Sequence, residues 1–244
     1  IKEAAEKIKA SKKPILISGG GVFYSDAMDA LSNFAIKHNI PVTQTVMGYS
    51  TLKRDHSHYA GQIGGLGGKN TNTLAKQTDL AIAVGTKLAD FTTGSWANFE
   101  NKDFKLVSIN VSRFDANKHL AQAVIGDARA SLNELSAALG DWKAPDEWNK
   151  KSQVELKSWN EYVDKESAPT NQEVPSYVQV VGAVYRNSDP SDIAVTAAGG
   201  LVGEVIQVWR PRELNTHETE WGFSCMSYEI SGALGIKMAN PHKE

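Results

Sequence analysis

The sequence predicts an open, mostly parallel α/β sheet, Rossmann-like in its first part, followed by part of a second α/β unit. Three observations carry that expectation. Pro14-Ile-Leu-Ile-Ser18 and Asp79-Leu-Ala-Ile-Ala-Val-Gly85 are apolar along most of their length, as strands covered on both faces must be. Strand-like runs alternate with stretches of helical periodicity along the chain. Glycine clusters stand directly after two of the strands, Gly19-Gly-Gly21 and Ala198-Gly-Gly200, where an open sheet turns into a helix and binds ligands.

Taken in order, Ile1, Ala4, Ala5 and Ile8 share one face of an opening helix. The strand 14–18 follows, then the triple glycine, then a helix expected to start near Ser25 as N-cap, with Met28, Leu31 and Phe34 inward. Ile40–Gln44 reads as the next strand. Gly61, Gly64, Gly65, Gly67 and Gly68, with His56, His58 and Tyr59 just before them, read as a flexible surface loop without chemistry. Thr73–Lys76 looks helical, and 79–85, Phe104–Asn110 and Ala123–Gly126 are further strands. Asp127 is placed to cap a helix over Ala128–Leu139.

The first domain is therefore expected over residues 1–140. Residues 141–174 form a linker whose polar helix, Glu147–Glu166, lies on the surface with Trp148, Leu156, Trp159 and Val163 as its buried side chains. A second unit occupies 175–244. Ser176–Tyr185 begins it, Asp192–Ala197 is its first strand, and a helical run to Trp209 follows the glycine turn. The loop from Trp221 leads into a helix with Ser231, Gly232, Ala233 and Gly235. Glycine within a helix costs about 1 kcal/mol against alanine, so these residues imply close packing or a ligand.

A chain of 244 residues with 41% hydrophobic and 22% charged residues has an ordinary globular composition. Its 26 basic and 28 acidic residues leave a formal charge of −2, which gives no reason to expect nucleic acid or an anionic membrane as partner. No apolar run approaches the roughly 18–20 residues of a membrane span. The single cysteine, Cys225, excludes an internal disulfide and any multi-cysteine zinc site, and fits a reducing cytoplasm. The chain opens without Met inside a helical pattern and stops soon after a helix, so it reads as cut from something longer.

Few residues advertise chemistry by themselves. Gly19-Gly-Gly21 lacks the third spaced glycine of a dinucleotide fingerprint, and Thr43-Gln44-Thr45 offers no acidic residue at the end of the second strand. Cys225 is either a nucleophile, if His217 meets it, or an inert buried thiol. His217, Glu218 and Glu220 read as solvated loop residues, and no metal is expected there.

Several runs together resemble the thiamine-diphosphate enzymes. They are Lys13–Gly21, Ile40–Gly48, Asp79–Thr86 and Val124–Arg129, and above all Glu220–Gly235 (Glu-Trp-Gly-Phe-Ser-Cys-Met-Ser-Tyr-Glu-Ile-Ser-Gly-Ala-Leu-Gly). The last is similar to the cyclic-1,2-dione hydrolases of inositol catabolism. The resemblance implies a central domain, a linker and a cofactor-binding domain truncated before its Mg²⁺ motif. It implies that Ala198, Gly199, Gly200 and Leu201 seat the diphosphate, with Val202 where the hydrolases carry proline. Gly222, Phe223, Cys225 and Met226 would also line the cofactor, Met226 as the wedge that bends it; a gap-filling core Met is the other reading. Ser227 stands where the wider family usually has glycine. FAD, held by the central domain of some relatives, is not expected, because Lys87 stands where FAD-binding members often have arginine. No catalytic residue and no Mg²⁺ ligand is expected in this chain; both belong to parts outside it. The implied reaction is hydrolytic C–C cleavage of a cyclic 1,2-diketone by a homodimer or homotetramer. An acetolactate-synthase-like carboligase and a non-enzymatic nucleotide-binding module are the alternatives.

Overall fold

The computed structural model describes residues 1–243. Its helices are α1 (Lys2–Lys9), α2 (Gly21–Tyr24), α3 (Met28–His38), α4 (Lys69–Gln77), α5 (Asp90–Thr93), α6 (Arg113–Ala116), α7 (Ala128–Leu139), α8 (Asp146–Glu166), α9 (Tyr177–Asn187), α10 (Leu201–Val208) and α11 (Tyr228–Ala239). The strands are β1 (Pro14–Ser18), β2 (Val42–Gln44), β3 (Tyr59–Gln62), β4 (Leu80–Val84), β5 (Lys105–Asn110), β6 (Gln122–Ile125), β7 (Ala194–Thr196) and β8 (His217–Thr219).

Strands β1 to β6 form one parallel sheet in the order β3-β2-β1-β4-β5-β6. Both faces are covered, which is why its central strands are continuously apolar. Leu16, Ile82 and Val107 point to one side, against Ile8 of α1, Leu31 and Phe34 of α3, and Leu132 and Leu135 of α7. Ile15, Ile17, Ala81 and Ala83 point to the other, against Leu74 and Ala75 of α4 and Trp148 of α8. Asp127 caps α7 as expected, accepting from the Ala130 amide at 3.0 Å.

Two expectations are corrected here. The supposed glycine loop begins as β3, a buried edge strand whose register with β2 shifts at Thr43. Ser25 does not cap α3, which starts at Met28 after Ala27; its hydroxyl instead accepts from the Ala128 amide at 3.3 Å. The helix α8 buries Trp148, Leu156 and Val163, as expected, with Trp159 half-buried, and lies over β3. The Trp148 indole donates to the Pro14 carbonyl at 2.8 Å, and Gln153 donates to the Tyr59 carbonyl at 3.0 Å. Asn70 and Thr71 of α4 take the Ala60 carbonyl at 2.9 and 3.0 Å. Side chains thus occupy carbonyls of the edge strand that would otherwise invite pairing with another chain.

The second unit holds β7 and β8 as a parallel pair with α9, α10 and α11. Ser176 and Gln179 form a capping box that starts α9. A third apolar cluster joins the two units: Val46 and Tyr49 from the first, Val163 of α8, and Val181, Tyr185, Val205, Ile206 and Trp209 from the second. The fully buried Tyr49 hydroxyl donates to the carbonyls of Ile206 and Trp209. Arg54 donates to the Tyr185 hydroxyl at 2.5 Å, which donates to the Arg210 carbonyl at 3.1 Å. No helix among the described residues is long and apolar enough to cross a membrane.

Candidate functional site

The two glycine turns that follow β1 and β7 look alike in sequence and differ in what their backbones do. After β1 the turn is closed. The Gly19 amide donates to Val84 O and the Gly21 amide to Gly85 O, both at 2.9 Å. A Cβ on Gly21 would stand 2.6 Å from Gly85 Cα, and one on Gly19 2.6 Å from Thr86 Cβ. These glycines exist so that the β1 and β4 turns can touch. A cavity of about 460 Å³ lies above them, at the carboxyl ends of β1, β4 and β5, lined by Met47, Lys87, Asn110, Asp115 and Trp221 among others. Gln44, at the end of β2, is buried and donates to Thr51 and the Leu52 carbonyl at 3.1 Å. The Gly19 and Gly21 amides are thus spent within the sheet's own turns, and the Gln44 side chain is turned inward.

The turn after β7 is open. Gly199 has φ +111°, a conformation that L side chains rarely adopt, and a Cβ there would meet nothing within 4 Å. Gly200 has an ordinary φ of −67° and, with Gly199 and Leu201, is exposed; Ala198 is half-buried. The amides of Ala198 through Val202 have no acceptor among the described residues. Unspent amides leading into the N-terminus of α10 are what an anion requires.

Because β7 and β8 are parallel neighbours, with Thr196 opposite Thr219, the segments that leave them emerge at the same edge. One is the glycine shelf 198–201; the other is the loop 221–227, which carries Gly222, Phe223, Cys225 and Met226. All four are exposed, Phe223 by 90% and Met226 by 77%. Within this chain Met226 and the Cys225 thiol are thus surface groups. No residue of α11 is buried within this chain. Gly232 lies against the Tyr228 ring, whereas Gly235 faces open space. Ser227 begins α11 at φ +74°, the left-handed region, which is the physical reason a glycine suits that position better.

Glu220, expected to be solvated, organises this loop. Its carboxylate accepts from the Phe223 amide at 2.8 Å and the Cys225 amide at 2.7 Å. Those amides, Cys225's first, hold its carboxyl below the usual glutamate range. Glu229, in the first turn of α11, accepts from the Ala197 amide at 3.1 Å, at the foot of the shelf. Trp221 meets Phe91 edge to face, centroids 5.3 Å apart, and so anchors the loop to the first unit. Sequence reading left all three out of the site; an acidic residue directly before a Trp-Gly loop was the available signal.

His217 is also corrected. It is buried in β8 rather than solvated, faces the Thr196 hydroxyl at 3.2 Å, and meets Tyr49 edge to face at 4.7 Å. Burial holds its imidazole down to about 3. Its contacts are Thr196 and Tyr49, and Cys225 meets Glu220 through its backbone amide. Partial desolvation raises the carboxyl of the exposed Glu218, opposed by the Thr219 amide and the Tyr228 hydroxyl. No three His, Cys, Asp or Glu side chains among the described residues stand together so as to hold a metal ion.

A doubly covered parallel sheet with a closed first turn, joined to a β-pair whose glycine turn leaves its amides unspent, defines an α/β chain of two units. Residues 1–135 match the family described as thiamine pyrophosphate enzyme, central domain, and the chain belongs to that family. The 3D-(3,5/4)-trihydroxycyclohexane-1,2-dione hydrolase of Geobacillus thermodenitrificans is 36% identical over 265 residues, covering 100% of this chain and 41% of the relative. The protein of the same name from Clostridium tetani is 37% identical over 271 residues, covering 100% of this chain and 42% of the relative. A Bacillus anthracis protein of that name is 37% identical over 271 residues, covering 99% and 41%. The chain thus spans about two fifths of the length of the curated relatives it matches.

Proposed function

We propose that the chain provides the central domain (residues 1–140), the linker (141–174) and the first part of the cofactor-binding domain (175–244) of a thiamine-diphosphate-dependent hydrolase that opens a cyclic 1,2-diketone by C–C cleavage. The observation that carries this reading is the contrast between the closed turn at Gly19–Gly21 and the open shelf at Ala198–Leu201. The similarity to the trihydroxycyclohexane-1,2-dione hydrolases along the whole chain supports the substrate class.

In this reading the amides of Ala198, Gly199, Gly200 and Leu201 hold the terminal phosphate oxygens of thiamine diphosphate. Gly222 and Phe223 form the opposite wall, with Cys225 beside them. Met226, unbranched and exposed, would pack against the cofactor as the apolar wedge that keeps it bent. Bound thiamine diphosphate supplies a carbon nucleophile and an electron sink, which protein side chains lack. The carboxylate that activates it and the oxygen ligands of its Mg²⁺ come from elsewhere in the whole protein, which works in the cytoplasm. The exposed apolar residues Phe223, Ile230, Leu234 and Met238 are covered there by the remaining domain and by a second copy in a homodimer or homotetramer.

Turnover by the full-length protein, supplied with thiamine diphosphate and Mg²⁺, tests this. Ring opening of the trihydroxycyclohexane-1,2-dione without consumption of pyruvate is expected. Pyruvate consumption alone would transfer the assignment to an acetolactate-synthase-like carboligase.

A further inference from the structure

Two carboxylates bracket the loop 221–227, and neither is left free to meet a substrate. Glu220 lies at its start, where the Glu220 amide donates to the Thr196 carbonyl at 3.2 Å and so fixes the residue to the end of β7. Its side chain turns forward and accepts both the Phe223 and the Cys225 amides. Glu229 lies two residues past the loop's end and reaches back to the Ala197 amide. The Glu220 carboxylate thus folds the loop on itself while its backbone amide joins the loop's start to β7, and the Glu229 carboxylate ties the loop's far end to the end of β7.

The arrangement has a cost that needs a reason. Two negative charges stand close to the edge where an anion would be held, and neither is balanced by a cation among the ion pairs of the described residues. Ser224 and Ser227 are held at φ +54° and +74°, so the loop path is one that the local sequence does not prefer. A carboxylate bonds backbone amides more strongly than a neutral acceptor does, and can hold two amides at once. That fixes the Phe223 and Cys225 backbone to Glu220, and the first turn of α11 to Ala197.

We propose that Glu220 and Glu229 are positioning residues of the cofactor site: Glu220 sets the path of the loop 221–227 and Glu229 ties its far end to Ala197 at the foot of the shelf 198–201, so that both walls are in place before thiamine diphosphate arrives. This rests on the functional reading above. The carboxylates touch neither cofactor nor substrate; they act through the amides of Ala197, Phe223 and Cys225. Pre-forming both walls removes the ordering cost from binding, so the effect falls on affinity and not on the chemical step.

The test is thiamine diphosphate binding and turnover in the full-length protein and its Glu220→Gln, Glu220→Ala and Glu229→Gln variants. Gln keeps one acceptor oxygen and Ala keeps none. Each Gln variant should weaken the Kd for thiamine diphosphate about tenfold, and Glu220→Ala about a hundredfold, as expected for one and two charge-assisted hydrogen bonds. In all three, kcat at saturating cofactor should stay within about threefold, and the Tm of the cofactor-free protein should be nearly unchanged, as for exposed loop contacts. A Kd unchanged in Glu220→Ala would overturn the proposal. So would an equal loss of Tm and affinity with no partial recovery in Gln, since that is the behaviour of a purely structural residue. If the unsubstituted protein bound no thiamine diphosphate, the functional reading would fall first, and this one with it.

Discussion

His217 carries the clearest pH signature of any single residue. Its imidazole sits between the Thr196 hydroxyl and the Tyr49 ring with no carboxylate to welcome a proton, and burial holds it down to about 3. In the unfolded chain a histidine takes up its proton near 6.5. Above that value both states are neutral and the full stability is present. Below it the unfolded state gains a proton that the folded state refuses, so stability drains away as the pH falls from 6.5 toward 3. By pH 5 the loss from this residue alone is about 2 kcal/mol. Urea midpoints measured from pH 7 to 4.5 should fall accordingly, and His217→Phe, which keeps a ring against Tyr49, should flatten the profile. His58, held down to about 4 by burial, adds a slope of the same sign that survives in the variant. A variant as steep as the unsubstituted chain would remove His217 from this account. None of this was legible in Thr216-His-Glu-Thr219, because three residues are too few for alternation to declare a strand. Glu220 was hidden for a different reason: nothing in its neighbours announces that the two amides ahead will turn back to meet it.

At the level of elements, the sheet was legible wherever strands are long and buried on both faces, as in β1, β4 and β5. It was missed at β3, where Tyr-Ala-Gly-Gln is short, carries glycine and owes its burial to α4 and α8. The glycine turns were found but could not be told apart, since composition does not reveal where amides point. The structure separates them, and substitutions can do the same. Gly21→Ala would drive a Cβ into the Gly85 backbone, and overpacking of that kind costs about 1–3 kcal/mol. Gly200→Ala meets only the Tyr177 ring, at 4.0 Å, and keeps an ordinary φ. It should leave stability within about 0.5 kcal/mol, as surface substitutions do. Its methyl nevertheless stands in the space that a diphosphate would need. Gly21→Ala should therefore lower the melting temperature and leave thiamine diphosphate affinity nearly intact, whereas Gly200→Ala should do the reverse. The opposite pattern, read from melting curves and a binding titration, would move the anion site to the first domain.

For the molecule as a whole, the change in composition after residue 140 suggests a division, but the junction between the two units was not legible. Its principal bonds join residues 157 and 160 positions apart, Tyr49 to Ile206 and to Trp209. Nothing local to Tyr49 foretells them. The Tyr49 hydroxyl is fully buried and serves carbonyls at the carboxyl end of α10, groups that a helix cannot satisfy for itself. Tyr49→Phe leaves those carbonyls buried and unsatisfied at little change of shape, at a cost of about 1–3 kcal/mol. That cost falls on the junction and not on either unit's own core. If the junction is what makes the two units unfold together, calorimetry should turn one transition into two. The six-stranded sheet, with its core covered on both faces, should melt second. The unit built on the two short strands β7 and β8, which leaves α11 exposed, should melt first. A single transition that merely moves to lower temperature would mean that α8, packed on β3 below and on α9 above, couples the units more strongly than Tyr49 does.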